Sequence, residues 1–200
     1  MMKKLMIKRL LILLFGTISL QSCTSEYTPK PKGYPRVIYP EKKYEVFSPV
    51  NCPFEFEKPV YAIVESDSDF QGKALSEKCW INIQFTEFNG TLNLTYKEIN
   101  KENSLMRLVE DAHKLSFKHS KKANYIDEVL IENKYGVSGL LYNVGGEAAS
   151  NYQFFLTDTT HHFIRGALYF NNEPNMDSMA PVISFVRKDL DHFLETFKWK

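Results

Sequence analysis

Cys23 closes the string Leu20-Gln-Ser-Cys23, directly after an apolar run from Leu10 to Leu20 that is itself preceded by Lys3, Lys4, Lys8 and Arg9. A basic start, a short apolar stretch and a small residue before the break are the parts of an export signal. Roughly 20 apolar residues are needed to span a bilayer, and this run is too short to remain as a transmembrane helix. A small residue before a Cys at the end of the apolar run resembles a bacterial lipobox, in which the Cys23 sulfur is alkylated with diacylglycerol and the chain is cut between Ser22 and Cys23; an ordinary signal peptide with an incidental Cys is the competing reading. Gln21 departs from the small or aliphatic residue usual there. Since one acyl chain holds a protein only marginally, a two- or three-chain anchor on Cys23 is what gives stable attachment.

Two more cysteines, Cys52 and Cys79, remain in a chain with that export signal. An oxidising compartment permits them to pair, and the closed loop of about 28 residues would add roughly 3 to 4 kcal/mol in the chain-entropy model. Other reactive types are dispersed. Glu110 and His113, and Asp189 and His192, lie three apart on expected helices, a spacing that usually marks solvated helix surface rather than a metal site. His161 and His162 are adjacent on a strand entrance and point to opposite faces. No nucleophile elbow, zinc-binding helix, phosphate loop or dinucleotide fingerprint occurs, so the sequence gives no warrant for enzymatic activity, a cofactor or a metal. A catalytic or ligand-carrying alternative would need a cleft gathering two or more of His113, Glu147, His162 and Arg165.

The elements that must carry these residues follow from composition and periodicity. The 200 residues are 44% hydrophobic, and 25 basic against 24 acidic side chains leave no field suited to nucleic acid. Removing residues 1–22 turns the balance mildly acidic. Seven of the nine prolines fall between Thr24 and Pro59, so residues 23–59 read as a Pro-rich tether and extended leader, with residues 60–200 as one domain. Beyond Gly33 the leader carries large side chains. Tyr34, Arg36 and Tyr39 are the types that make buried anchors at protein interfaces, which marks them as interaction candidates, although packing on the chain's own domain is the competing use.

Within residues 60–200, Val60 to Glu65 reads as a strand, and Cys79 to Phe85 and Leu92 to Tyr96 alternate about a turn at Asn89-Gly90. Leu105, Leu108, Val109, Ala112 and Leu115 have helical spacing behind a cap at Asn103. Tyr125 to Asn133 fits either element. Val137–Val144, Asn151–Thr157 and His162–Phe170 form a three-stranded meander, and Val182, Val186, Leu190, Phe193, Leu194 and Phe197 put a stripe on a last helix capped by Asp177 or Ser178, with Pro181 in its first turn. The order predicts an α+β fold: a largely antiparallel sheet, hairpin plus meander, packed by two amphipathic helices, similar in order to Mog1/PsbP-like domains.

Taken together, Lys30-Pro-Lys-Gly-Tyr34-Pro-Arg36, Tyr39-Pro-Glu-Lys-Lys-Tyr44, Asn51-Cys-Pro-Phe54, Cys79-Trp-Ile-Asn-Ile83, Phe88-Asn-Gly-Thr-Leu92, Gln153 to Asp158, His162 to Phe170 and Glu195 to Trp199 resemble the gliding-motility lipoprotein GldD family through essentially the whole mature chain. The resemblance implies a Bacteroidetes envelope lipoprotein required for gliding and tied to the type IX secretion machinery through protein contacts, with no catalytic residues to carry over. Its implied partners are the membrane, through the lipid, and other gliding or secretion proteins; the leaflet is open. Asp158-Thr-Thr160 and Asp177-Ser-Met179 also resemble the short motifs that such bacteria O-glycosylate, which makes Thr159 and Ser178 candidate acceptors.

Overall fold

The computed structural model describes residues 33, 36–66, 69–70, 73–74, 79–118, 122–171 and 176–200; Cys23 and Tyr34 lie outside the described residues. In chain order the elements are β1 (Tyr44–Phe47), β2 (Phe54–Pro59), β3 (Ile63–Ser66), β4 (Asp69–Phe70), β5 (Lys73–Ala74), β6 (Ile81–Phe85), a 3-10 turn (Thr86–Phe88), β7 (Gly90–Glu98), α1 (Leu105–Phe117), β8 (Ala123–Glu132), β9 (Ser138–Gly146), β10 (Tyr152–Thr157), β11 (His162–Phe170), α2 (Met176–Thr196) and β12 (Lys198–Trp199). Seven strands form one antiparallel sheet in the order β3-β6-β7-β11-β10-β9-β8, and a smaller sheet runs β1-β2-β12. The fold is α+β.

Strand alternation divides the core in two. Ile81, Ile83, Leu92, Leu94, Phe154, Leu156, Ile164 and Leu168 face one side of the large sheet, where they meet Val186, Leu190, Phe193 and Phe197 of α2 together with Phe54 and Phe56 of β2. The opposite side carries Tyr142, Val144, Phe155 and Phe163 against Leu108 and Ala112 of α1. Both helices therefore bury their stripes on the sheet, one on each face. At the β11 centre the side chain has to be absent: a Cβ on Gly166 would stand 2.2 Å from the Phe154 ring.

Several boundaries differ from the sequence reading. The described residues 36–59 are built into the folded unit rather than leading up to it. The cause is the alternation Phe54-Glu-Phe56-Glu within a proline-flanked stretch: Phe54 and Phe56 are fully buried while β2 pairs with both β1 and β12. The strand expected from Val60 begins at Ile63, because Val60 and Tyr61 turn after Pro59. Ser104, not Asn103, caps α1, its Oγ accepting from the Arg107 N–H at 3.4 Å. The undecided segment 125–133 is the edge strand β8. Helix α2 begins at Met176, one or two residues ahead of the expected cap, and holds Pro181 inside. Asn89 takes the left-handed conformation, φ 51°, that closes the turn between β6 and β7.

Candidate docking surface

Helix α2 carries an aspartate within its apolar stripe. Asp189 lies between Val186 and Leu190 on one side and Phe193 on the other, and its side chain is fully enclosed. A buried carboxylate persists only when it is paired and hydrogen-bonded. Residues just ahead of and inside β1 supply this: Lys42 Nζ stands 2.6 Å from one Asp189 oxygen and Tyr44 donates its hydroxyl to the other at 2.9 Å. The Tyr61 hydroxyl is a third donor. Burial first, and then the bond to Asp189, raises both phenols well above the ordinary tyrosine range, whereas burial lowers Lys42 despite its carboxylate partner.

Lys42 also donates to the Phe185 carbonyl at 2.8 Å and lies 3.5 Å from the Phe185 ring centroid. One turn on, the His192 ring stacks on Tyr44 with centroids 3.7 Å apart and meets Glu57 at 2.7 Å. Tyr39, an expected interaction residue, packs 4.5 Å from Phe185 and 6.0 Å from Phe88, so much of its ring is spent within the fold. Arg36 is exposed, and Ile38 between them is 82% exposed. The segment is thus a strap: Tyr39, Lys42 and Tyr44 contact α2, while Arg36, Ile38, Glu41 and Lys43 face solvent.

Cys52, in the loop between β1 and β2, is bonded to Cys79, with Cα atoms 5.6 Å apart. Beside that link a cleft of about 600 Å³ is lined by Phe47, Val50, Val64 and Ile81, among others. The strap, the disulfide loop and the last helix thus meet through β1 and β2.

The remaining sequence candidates stand apart. His113 on α1 pairs with Glu128 at 3.4 Å, and its ring stacks on Phe117. His162 and Arg165 share β11 but face opposite sides: His162 bonds the Tyr96 hydroxyl at 2.8 Å and stacks on Trp199, whereas Arg165 donates to Gln153 at 2.6 Å. Glu147 is exposed in the loop after β9. The cleft beside the disulfide holds none of these residues, and no group of three metal-ligating side chains occurs among the described residues. Thr159 is exposed with φ 67°, in a turn where Asp158 accepts the backbone N–H groups of Thr160, His161 and His162. Ser178 is exposed in the first turn of α2.

The sequence reading placed Asp189 on solvated helix surface, and the structure buries it. Its position was the available signal. Val182, Phe185, Val186, Leu190 and Phe193 fill the stripe at helical spacing, and a carboxylate between them must find partners.

These features define an α+β domain whose N-terminal strap is locked to its last helix and whose disulfide ties the small sheet to the large one. The chain belongs to the gliding motility lipoprotein GldD family, whose model matches residues 24–199. That membership makes it a membrane-anchored gliding motility lipoprotein of the cell envelope. No curated protein matches the chain. A similar solved structure is the solution structure of cyanobacterial PsbP (CyanoP) from Synechocystis sp. PCC 6803, with 13% identity, a TM-score of 0.47, and 91% of this chain and 99% of that chain covered. The fold class is read from the sheets and helices themselves.

Proposed function

We propose that acylation of Cys23 holds the folded unit beside a membrane and that the strap carrying Arg36 and Tyr39, with the sequence candidate Tyr34, docks it onto envelope proteins of the gliding and type IX secretion apparatus, without catalysis. The observation that carries this reading is the buried node of Asp189 with Lys42, Tyr44 and Tyr61. A segment whose Lys42 and Tyr44 are held by the buried Asp189 carboxylate presents Arg36 and Ile38 in a set orientation, which lowers the ordering cost of binding. Arginine and tyrosine types at such a surface are the usual energetic anchors.

The test is made in cells. A Tyr34→Ala/Arg36→Ala double variant should abolish gliding while its amount, membrane association and thermal unfolding match the native protein. Site-specific photocrosslinking from position 38 should capture envelope proteins of the apparatus, and lose them in the double variant. Normal gliding by a stably expressed double variant would remove the strap as the contact.

A further inference from the structure

Helix α1 covers only part of its face of the large sheet. It lies over β10 and β11, and the neighbouring β6 and β7 turn polar side chains to the same side. Asn93 donates to Asn82 at 2.6 Å and Thr91 to Gln84 at 2.7 Å, and all four are half-exposed. An amide has two donors and two acceptor sites, so the Asn93–Asn82 bond uses only part of what the two side chains can make.

Arg165 stands at the border between the covered and the open part. No carboxylate among the described residues pairs with its guanidinium, which is bonded to Gln153 Oε1 at 2.6 Å and to the Tyr169 hydroxyl. Half-buried arginines normally have an anionic partner, because five donors in a fixed fork are costly to desolvate unpaired. Around it the donors continue. Gln153 is fully buried and its Nε2 has no hydrogen-bond partner among the described residues, nor has the Tyr142 hydroxyl directly across the β9–β10 pair, nor the indole N–H of Trp80. Burial, and then the charge of Glu128, push the Tyr142 phenol up to about 12, so it keeps its proton and remains a donor. Lys97 extends from the same side of β7, its Nζ 5.4 Å from the Trp80 ring centroid. An arginine with no carboxylate partner among the described residues, unsatisfied donors beneath it, and an amide row ending at an aromatic ring leave donors in excess at the centre of this surface, with Glu65, opposite Asn82 and bonded to Gln84 at 3.4 Å, as the acid at its β3 edge.

We infer that the open half of this sheet face, centred on Arg165 with Asn82, Asn93 and Trp80, binds an acidic saccharide. The charged group of such a ligand, a carboxylate or a phosphate, would meet the guanidinium fork. Its hydroxyls both donate and accept, which is what the paired amides can use, and a sugar ring offers an apolar face to the indole. A protein partner would require an apolar centre that this face lacks. The site lies across the sheet from the strap, so it stands or falls separately from the docking reading.

Titration calorimetry on the full mature chain in detergent tests it with four probes: trigalacturonate, cellotriose, glucose 1-phosphate and inorganic phosphate. Trigalacturonate or glucose 1-phosphate should bind saturably, the preferred one naming the anionic group, with cellotriose and inorganic phosphate each weaker by about tenfold or more. Arg165→Gln and the isosteric Asn93→Asp should each weaken binding by about tenfold or more, the second by placing like charge beside the ligand. Asn93→Asp is half-exposed and keeps its shape, so it remains informative if Arg165→Gln unfolds. No saturable binding, equal binding by cellotriose, inorganic phosphate binding as tightly as the sugars, or affinity unchanged in Asn93→Asp would each overturn the proposal.

Discussion

At the scale of single residues, Asp189 has the most to lose. Its carboxylate is enclosed, and its charge is met by Lys42, Tyr44 and Tyr61, side chains drawn from a part of the sequence about 130 to 150 positions away. Removing one member of a buried pair leaves the other uncompensated, at a cost of about 3–5 kcal/mol. Lys42→Met should therefore destabilise the chain by about 3 kcal/mol, toward the lower end because two phenols still bond the carboxylate. The double variant Lys42→Met/Asp189→Leu should recover part of that loss, since it removes both charges together. Urea unfolding of Lys42→Met, Asp189→Leu and the double variant measures the coupling; simple additivity would mean that the pair contributes nothing as a pair. Limited trypsin digestion adds a local readout, with Lys42→Met expected to speed cleavage after Arg36.

Among the elements, the β10–β11 turn shows how a short polar string fixes a register. Burial alone would raise the Asp158 carboxyl, but the N–H groups of His162, His161 and Thr160 outweigh it and lower its pKa to about 2. A carboxyl lowered on folding contributes stability that is present above its unfolded value, about 4, and is lost as pH falls through its folded value, about 2. The melting temperature should therefore fall between about pH 4 and pH 2, and Asp158→Asn should flatten that part of the profile by lowering the melting temperature at pH 7 while changing little near pH 2. Parallel profiles for the two proteins would exclude this turn as a source of acid sensitivity. The same stretch was legible from sequence, as was the β6–β7 hairpin, because strict alternation and a residue tolerant of left-handed backbone leave one solution. β8 was not, since Tyr125, Val129 and Leu130 break any alternation. An edge strand exposed on both faces is under no pressure to keep one. β2 was masked for another reason. Pro53 and Pro59 bracket it, and proline density read as a tether hid the period-two run Phe54-Glu-Phe56-Glu between them. Of the candidate surface, Tyr39 and Arg36 were visible as types, whereas the Asp189 node was not, since partners so distant in sequence leave no local pattern.

For the molecule as a whole, the question is how a strap and two sheets become one body able to transmit a contact made at its edge. The small sheet β1-β2-β12 holds both the N-terminal strap and the C-terminal residues, with the Lys200 N–H bonded to the Pro53 carbonyl at 3.0 Å. Its covalent tie to the large sheet is the Cys52–Cys79 bond, and the two residues are 27 apart in sequence. Closing a loop of that length limits the unfolded chain and stabilises the native one by about 3–4 kcal/mol in the chain-entropy model. The aromatic contacts of Phe54 and Phe56 with Phe193 and Phe197 persist without it, so the fold should survive its removal in a weaker form. A Cys52→Ser/Cys79→Ser variant should unfold cooperatively with about 3 kcal/mol less stability, retain its circular dichroism spectrum, and lose hydrogen-exchange protection first in β1 and β2. Loss spread evenly over the seven-stranded sheet would mean that the bond stabilises the whole unit and that the strap does not depend on it. Protection lost only around the strap would identify the small sheet as the separately opening part, and gliding by that variant at raised temperature should fail before the large sheet melts.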